Sequence, residues 1–113
     1  MIYYHNPRCS KSREGLKIIE KSNKDIKVKL YLSEKITFTE LTQIIDKLNI
    51  KPIDLVRKKE NIIKEEKLDF STMSDKVIIE TLIRNPILIE RPILVSNTNA
   101  AIGRPPELIK TIL

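Results

Sequence analysis

The sequence predicts an α/β fold in which a β-α-β unit and a β-β-α unit flank a block of helices. Three observations predict it. First, a short apolar run, Ile2-Tyr3-Tyr4, gives way at Asn6-Pro7 to a helical pattern, and then to residues 26–32, which alternate apolar and polar. Second, apolar residues between about 37 and 85 recur at helical spacing behind capping residues. Third, the chain then returns to an apolar run at 91–95, a turn, a short apolar return and a final helical stretch.

Ile2-Tyr3-Tyr4 is the first strand. Proline fixes φ and pushes the residue before it away from helix, so Asn6-Pro7 ends the strand in a turn. The helix that follows runs through Leu16, Ile18 and Ile19 to about Lys21, with Leu16 and Ile19 on one face. Gly15 within it suits close packing on a sheet. After the polar break Ser22-Asn23-Lys24-Asp25, the residues Ile26, Val28, Leu30 and Leu32 predict a second strand with one apolar face. Strand, helix and strand in succession imply a parallel pair with a right-handed crossover.

Thr37-Phe38-Thr39-Glu40 matches a capping box, and Leu41, Ile44, Ile45 and Leu48 follow at i, i+3, i+4 and i+7. Pro52 suits the first position of a further helix, with Leu55 and Val56 apolar and Arg57-Lys58-Lys59 at its end. Residues 60–68 predict a short charged helix around Ile62 and Ile63. Ser74 caps another helix carrying Val77, Ile78, Thr81 and Leu82, which stops before Pro86. The third strand spans 91–95. Asn97-Thr98-Asn99 turns the chain into an antiparallel return, Ala100-Ala101-Ile102. Pro105 and Pro106 then open a last helix with Leu108, Ile109 and Ile112 inward. This is the thioredoxin-like order. Residues 1–113 are read as one such domain, with a helical insertion at about 37–85.

Composition narrows the class. With 41% hydrophobic and 32% charged residues, the chain is neither disordered nor membrane-embedded. No run reaches the length of a membrane span, and the N-terminus lacks the order of a signal peptide. The single cysteine allows no internal disulfide. These features point to the cytoplasm, where thiols stay reduced. The net charge of +6 is spread along the chain without a zinc-finger, helix-turn-helix or RNA-binding signature, which favours a small anion over nucleic acid. One histidine and one cysteine cannot furnish an ordinary zinc site, and nothing indicates an organic cofactor.

The chemistry centres on Cys9, where strand gives way to helix. The first N–H groups of a helix have no internal partner and its dipole is positive there, so both favour a thiolate. Arg8, Lys11 and Arg13 add positive charge, and Ser10 and Ser12 add hydroxyls. An ordinary cysteine titrates near 8.5, and lowering that by about two units requires roughly 2.7 kcal/mol in favour of the anion. A helix terminus contributes about 0.3–1 kcal/mol, or up to about 2 in good geometry. A donor such as Ser12, or a cationic neighbour, must therefore add to it. Arg91-Pro92 enters the third strand, and in a thioredoxin-like sheet the loop ahead of that strand lies beside the first helix and often holds a cis proline. Pro92 is the candidate. Arg104 stands at the start of the last helix.

These pieces resemble the glutaredoxin- and glutathione-linked arsenate reductase (ArsC) family, in its short branch without the C-terminal extension. The matching segments are Ile2-Tyr3-Tyr4-His5-Asn6-Pro7-Arg8-Cys9-Ser10-Lys11-Ser12-Arg13, Leu55-Val56-Arg57-Lys58, Asn85-Pro86-Ile87-Leu88-Ile89-Glu90-Arg91-Pro92-Ile93 and Ile102-Gly103-Arg104-Pro105-Pro106-Glu107. The resemblance implies Cys9 as the nucleophile. It implies Arg57, Arg91 and Arg104 as the arginines that hold the oxyanion. It makes Ser12 a hydrogen-bond donor to the thiolate, and His5 a neighbour that helps lower the thiol's pKa. From the residues alone, Arg57 in its basic run reads rather as a solvated helix end, and His5 equally as a structural hydrogen-bonder.

The implied activity is reduction of arsenate to arsenite through a cysteine–arsenic intermediate, with glutathione as co-substrate and glutaredoxin as partner. The lone cysteine independently requires an outside thiol for turnover, because Cys9-Ser10-Lys11-Ser12 holds no second sulfur. Two alternatives stay open. One is a thiol-dependent oxidoreductase of another anionic substrate. The other is a redox-related transcription regulator that binds RNA polymerase, which the serine at the second position of C-x-x-S and the three arginines argue against.

Overall fold

Strand β1 (Ile2–Tyr4) runs through the middle of a four-stranded sheet in the computed structural model, which describes residues 1–113. The sheet order is β2 (Lys27–Lys29), β1, β3 (Ile93–Val95), β4 (Ala100–Ile102). β1 and β2 are parallel, with Ile2 opposite Lys27 and Tyr4 opposite Lys29. β3 runs antiparallel to β1, with Tyr4 opposite Ile93, and β4 antiparallel to β3, with Ile93 opposite Ile102. The parallel pair is joined by α1 (Ser10–Lys21), as the strand-helix-strand pattern requires. The order of elements is the expected thioredoxin-like one.

The chain divides into two units, residues 1–35 with 91–113, and residues 36–90. In the first, Tyr3, Ile19, Leu94 and Ile109 form a buried cluster against which Leu16, Ile18, Ile26, Ile112 and Leu113 pack. Sheet, α1 and a C-terminal 3-10 helix (Pro106–Ile112) thus share one apolar centre. Close approach explains the two glycines. A Cβ on Gly15 would collide with the Tyr3 hydroxyl. One on Gly103 would lie 2.8 Å from Pro92 Cγ and 3.0 Å from Ile109 Cγ2. Gly103→Ala is therefore expected to lower stability by about 1–3 kcal/mol, the usual range for overpacking. Urea unfolding with an unchanged midpoint would contradict this packing.

In the second unit, α2 (Phe38–Leu48) packs on α4 (Asp75–Arg84) through Leu41, Ile44, Ile45, Ile78, Ile79 and Leu82, all buried. Thr37 and Glu40 make the expected capping box, and the Ser74 hydroxyl accepts from the Val77 N–H. A short α3 (Asn61–Glu65) lies between them in sequence.

Several sequence expectations are corrected. The second strand stops at Lys29, because the Leu30 N–H goes to the Glu34 carboxylate and the Leu30 carbonyl closes a turn with Ser33 and Glu34. Val28, Leu30 and Leu32 are exposed, and Tyr31, between them, is the buried residue. The helix expected from Pro52 is one 3-10 turn (Pro52–Leu55), after which Val56 is extended and bridges Ile89. Arg57 is therefore not a helix end. Val77 and Leu108 face outward, and the last helix is 3-10 rather than α.

Candidate active site

The loop from β1 to α1 is built by its own polar groups. The Cys9 N–H donates to the Asn6 carbonyl at 3.0 Å, closing a turn with Pro7 at its second position. The Asn6 side chain accepts from the Arg8 N–H at 3.0 Å, and Arg13 Nη1 donates to the Pro7 carbonyl at 2.9 Å. The Asn6 N–H donates to Ser12 Oγ at 2.9 Å, which ties the loop to the first turn of α1. The Tyr3 hydroxyl donates to the Ser12 carbonyl at 2.6 Å.

Cys9 is the N-cap of α1, with extended backbone and no cap bond from its side chain. The residue is partly exposed. Burial alone would raise its pKa. The Ser12 N–H, the Arg91 guanidinium and the Lys11 N–H outweigh that, and the thiol is held below its ordinary range. No acidic residue in the first turn opposes them.

Two arginines of this unit, Arg91 and Arg104, converge from the β3 and β4 ends. Arg91 is buried, and Arg104 Nη1 lies 3.9 Å from Cys9 Sγ and 3.1 Å from the Arg91 carbonyl. Pro92, also fully buried, follows a cis peptide bond, as does Pro105. The Pro92 carbonyl accepts the Gly103 N–H at 2.8 Å, which joins the strand entry that carries Arg91 to the turn that carries Arg104.

His5 is buried and stacks on Tyr3, with ring centroids 5.7 Å apart. Its Nδ1 lies 2.7 Å from Ser12 Oγ. Because that oxygen already accepts from Asn6, its proton can serve Nδ1, which puts the ring hydrogen on Nε2. Burial, then the charge of Arg13, lowers the His5 pKa. A lowered histidine pKa stabilises the fold above the unfolded value, about 6.5, and that contribution is lost as pH falls through the folded value. Urea midpoints should thus drop on acidification below about pH 6.5, with a shallower drop in His5→Gln. An identical pH slope in the variant would remove His5 from this account.

Of the expected site residues, the fold brings Cys9, Ser12, His5, Arg91, Arg104 and Pro92 together in one unit. Arg57 belongs to the other, where its Nε pairs with Glu60 at 3.1 Å and its Nη1 with Glu90 at 3.5 Å. Ser12 acts differently from expectation. Its hydroxyl is turned to Asn6 and His5, and its backbone N–H is what favours the thiolate. Asn6 and the Tyr3 hydroxyl were missed. The turn signal of Asn6-Pro7 marks the first only as the end of a strand, not as the brace of the loop. Nothing in the sequence marks the second.

Fold and site together define a thioredoxin-like protein whose one cysteine, at the start of α1, is held below its ordinary pKa. The model of the ArsC family matches residues 4–112, and the chain belongs to that family. The uncharacterized protein YfgD of Escherichia coli (strain K12) is 41% identical over 113 residues, covering 97% of this chain and 93% of its own. The arsenate reductase of Haemophilus influenzae is 38% identical over 114 residues, covering 100% of this chain and 98% of its own. A solved arsenate reductase from Vibrio cholerae superposes with a TM-score of 0.92 at 39% identity, covering 99% of this chain and 96% of that one.

Proposed function

We propose that the protein is a cytoplasmic arsenate reductase that uses glutathione as co-substrate and glutaredoxin as partner. The observation that carries the reading is a depressed Cys9 thiol facing the guanidinium of Arg104, with Arg91 beside it. Guanidinium forks match the edges of a tetrahedral oxyanion. The Cys9 thiolate attacks arsenic and a hydroxide leaves, giving a Cys9–S–As(V) bond. A glutathione thiolate then attacks the Cys9 sulfur. The S–As electron pair stays on arsenic, so As(V) becomes As(III) and a Cys9–glutathione disulfide forms. Glutaredoxin reduces that disulfide and restores the thiolate. Arg91 and Arg104 hold the oxygens and stabilise charge as it builds. Arg57 is the proposed third arginine on the family resemblance alone.

Support comes from the arsenate reductases among its relatives and from the lone cysteine, which leaves resolution to an outside thiol. The test is arsenite production from arsenate by purified protein. With glutathione and glutaredoxin it should turn over. Without thiol it should consume at most about one equivalent, because one nucleophile cannot complete the cycle. Sustained arsenite formation without thiol, or none with the full system, would overturn the proposal.

A further inference from the structure

A thiol that resolves a Cys9 intermediate must approach along the surface beside it, and that surface is shaped. A groove of about 450 Å³ lies between α1 and the start of the C-terminal 3-10 helix, within the range of about 300–1,000 Å³ usual for small-molecule sites. Its α1 wall carries Lys11, Lys17 and Lys21, and its other wall carries Pro105, Pro106 and Glu107. Each wall begins close in sequence to the reacting centre. Lys11 is two residues past Cys9, and Pro105 follows Arg104, whose Nη1 is 3.9 Å from the sulfur. At 1.5 Å per residue, the lysines extend over about 15 Å of helix, the reach of a short extended peptide.

The charges are mixed rather than uniformly positive. Glu14 lies on the same α1 wall as the three lysines, where it pairs with Lys11 at 3.8 Å, and Glu107 lies on the opposite wall. That leaves Lys17 and Lys21 for anionic groups and Glu107 for a cationic one. We infer that this groove seats a zwitterionic peptide thiol, with one carboxylate toward Lys17 and Lys21 and an ammonium at Glu107, and directs its sulfur toward Cys9. Glutathione has this chemistry: two carboxylates, one ammonium and a thiol between them. The inference rests on the reading that an outside peptide thiol is the co-substrate. It goes further by assigning the surface that receives it.

The test uses exchange between reduced full-length protein and a disulfide, which needs no arsenate and so reads the groove whether or not arsenate is the substrate. Cys9 attacks glutathione disulfide, one glutathione leaves as thiolate and a Cys9–glutathione disulfide remains, followed by intact mass. The neutral disulfide of 2-mercaptoethanol is the control. Lys17 and Lys21 are exposed, so Lys17→Gln/Lys21→Gln leaves the fold in place. At low salt the double variant should react about ten-fold more slowly with glutathione disulfide, and at the wild-type rate with the neutral one. Lys17→Arg/Lys21→Arg should keep the wild-type preference. Equal slowing with both disulfides would mean that the change reached Cys9 itself, and no slowing with either would mean that the groove holds nothing. Either result overturns the assignment.

Discussion

Cys9→Ser should abolish arsenate turnover, by at least about a thousand-fold, as loss of a sole nucleophile does in other covalent enzymes. Serine's hydroxyl stays protonated at any pH where a thiol of lowered pKa begins to ionise, so the Ser12 and Lys11 N–H groups and Arg91 have no anion to stabilise. The fold should survive. Cys9 is the N-cap of α1 and is only partly buried, and serine is among the preferred caps. Urea unfolding should therefore stay within about 0.5 kcal/mol of wild type, or move upward. Residual turnover above a hundredth of wild type would place the chemistry on another group, and a collapsed midpoint would mean that Cys9 is a packing residue.

Arg91→Ala should have the second largest effect. Arg91 is buried beside the thiolate and favours it by both hydrogen bonding and charge. Truncation removes charge-assisted bonds to sulfur and substrate worth about 1.5–3 kcal/mol, or roughly ten- to a hundred-fold in kcat/KM. The Cys9 pKa should rise in the same variant. Arg91→Lys keeps the charge but loses the planar fork, so it should restore the pKa more fully than the arsenate kinetics. If the two recover in parallel, Arg91 acts on the thiol alone and does not hold the oxyanion.

The sequence was most legible where local chemistry and burial agree. Asn6-Pro7 before a helical pattern, the Thr37–Glu40 capping box and the Ser74 cap each fixed an element boundary. The second strand was misread because its apolar alternation does not face the core. Glu34 captures the Leu30 N–H and ends the ladder, and at the sheet edge Val28 is left exposed. Leu55-Val56 looked helical, but Val56 finds a bridge partner 33 residues later in Ile89, a non-local pairing that no window of sequence displays.

The site was legible as a set of residue types and less so as a set of contacts. Cys9 beside a helix start follows from the strand-turn-helix pattern. That Ser12 acts through its N–H while its hydroxyl braces Asn6 and His5 depends on how the loop folds back onto α1. The approach of Arg104 to a residue 95 positions earlier depends on the pairing of β3 with β4 and on the Gly103–Pro92 hydrogen bond.

The central claim is that this loop favours the Cys9 thiolate over the thiol, and the rate of iodoacetamide alkylation of Cys9 against pH tests it most directly. The account predicts a single titration with its midpoint clearly below about 8.5, the ordinary thiol value. A midpoint at or above that value would show that burial prevails over the N–H groups and Arg91, and would contradict the account.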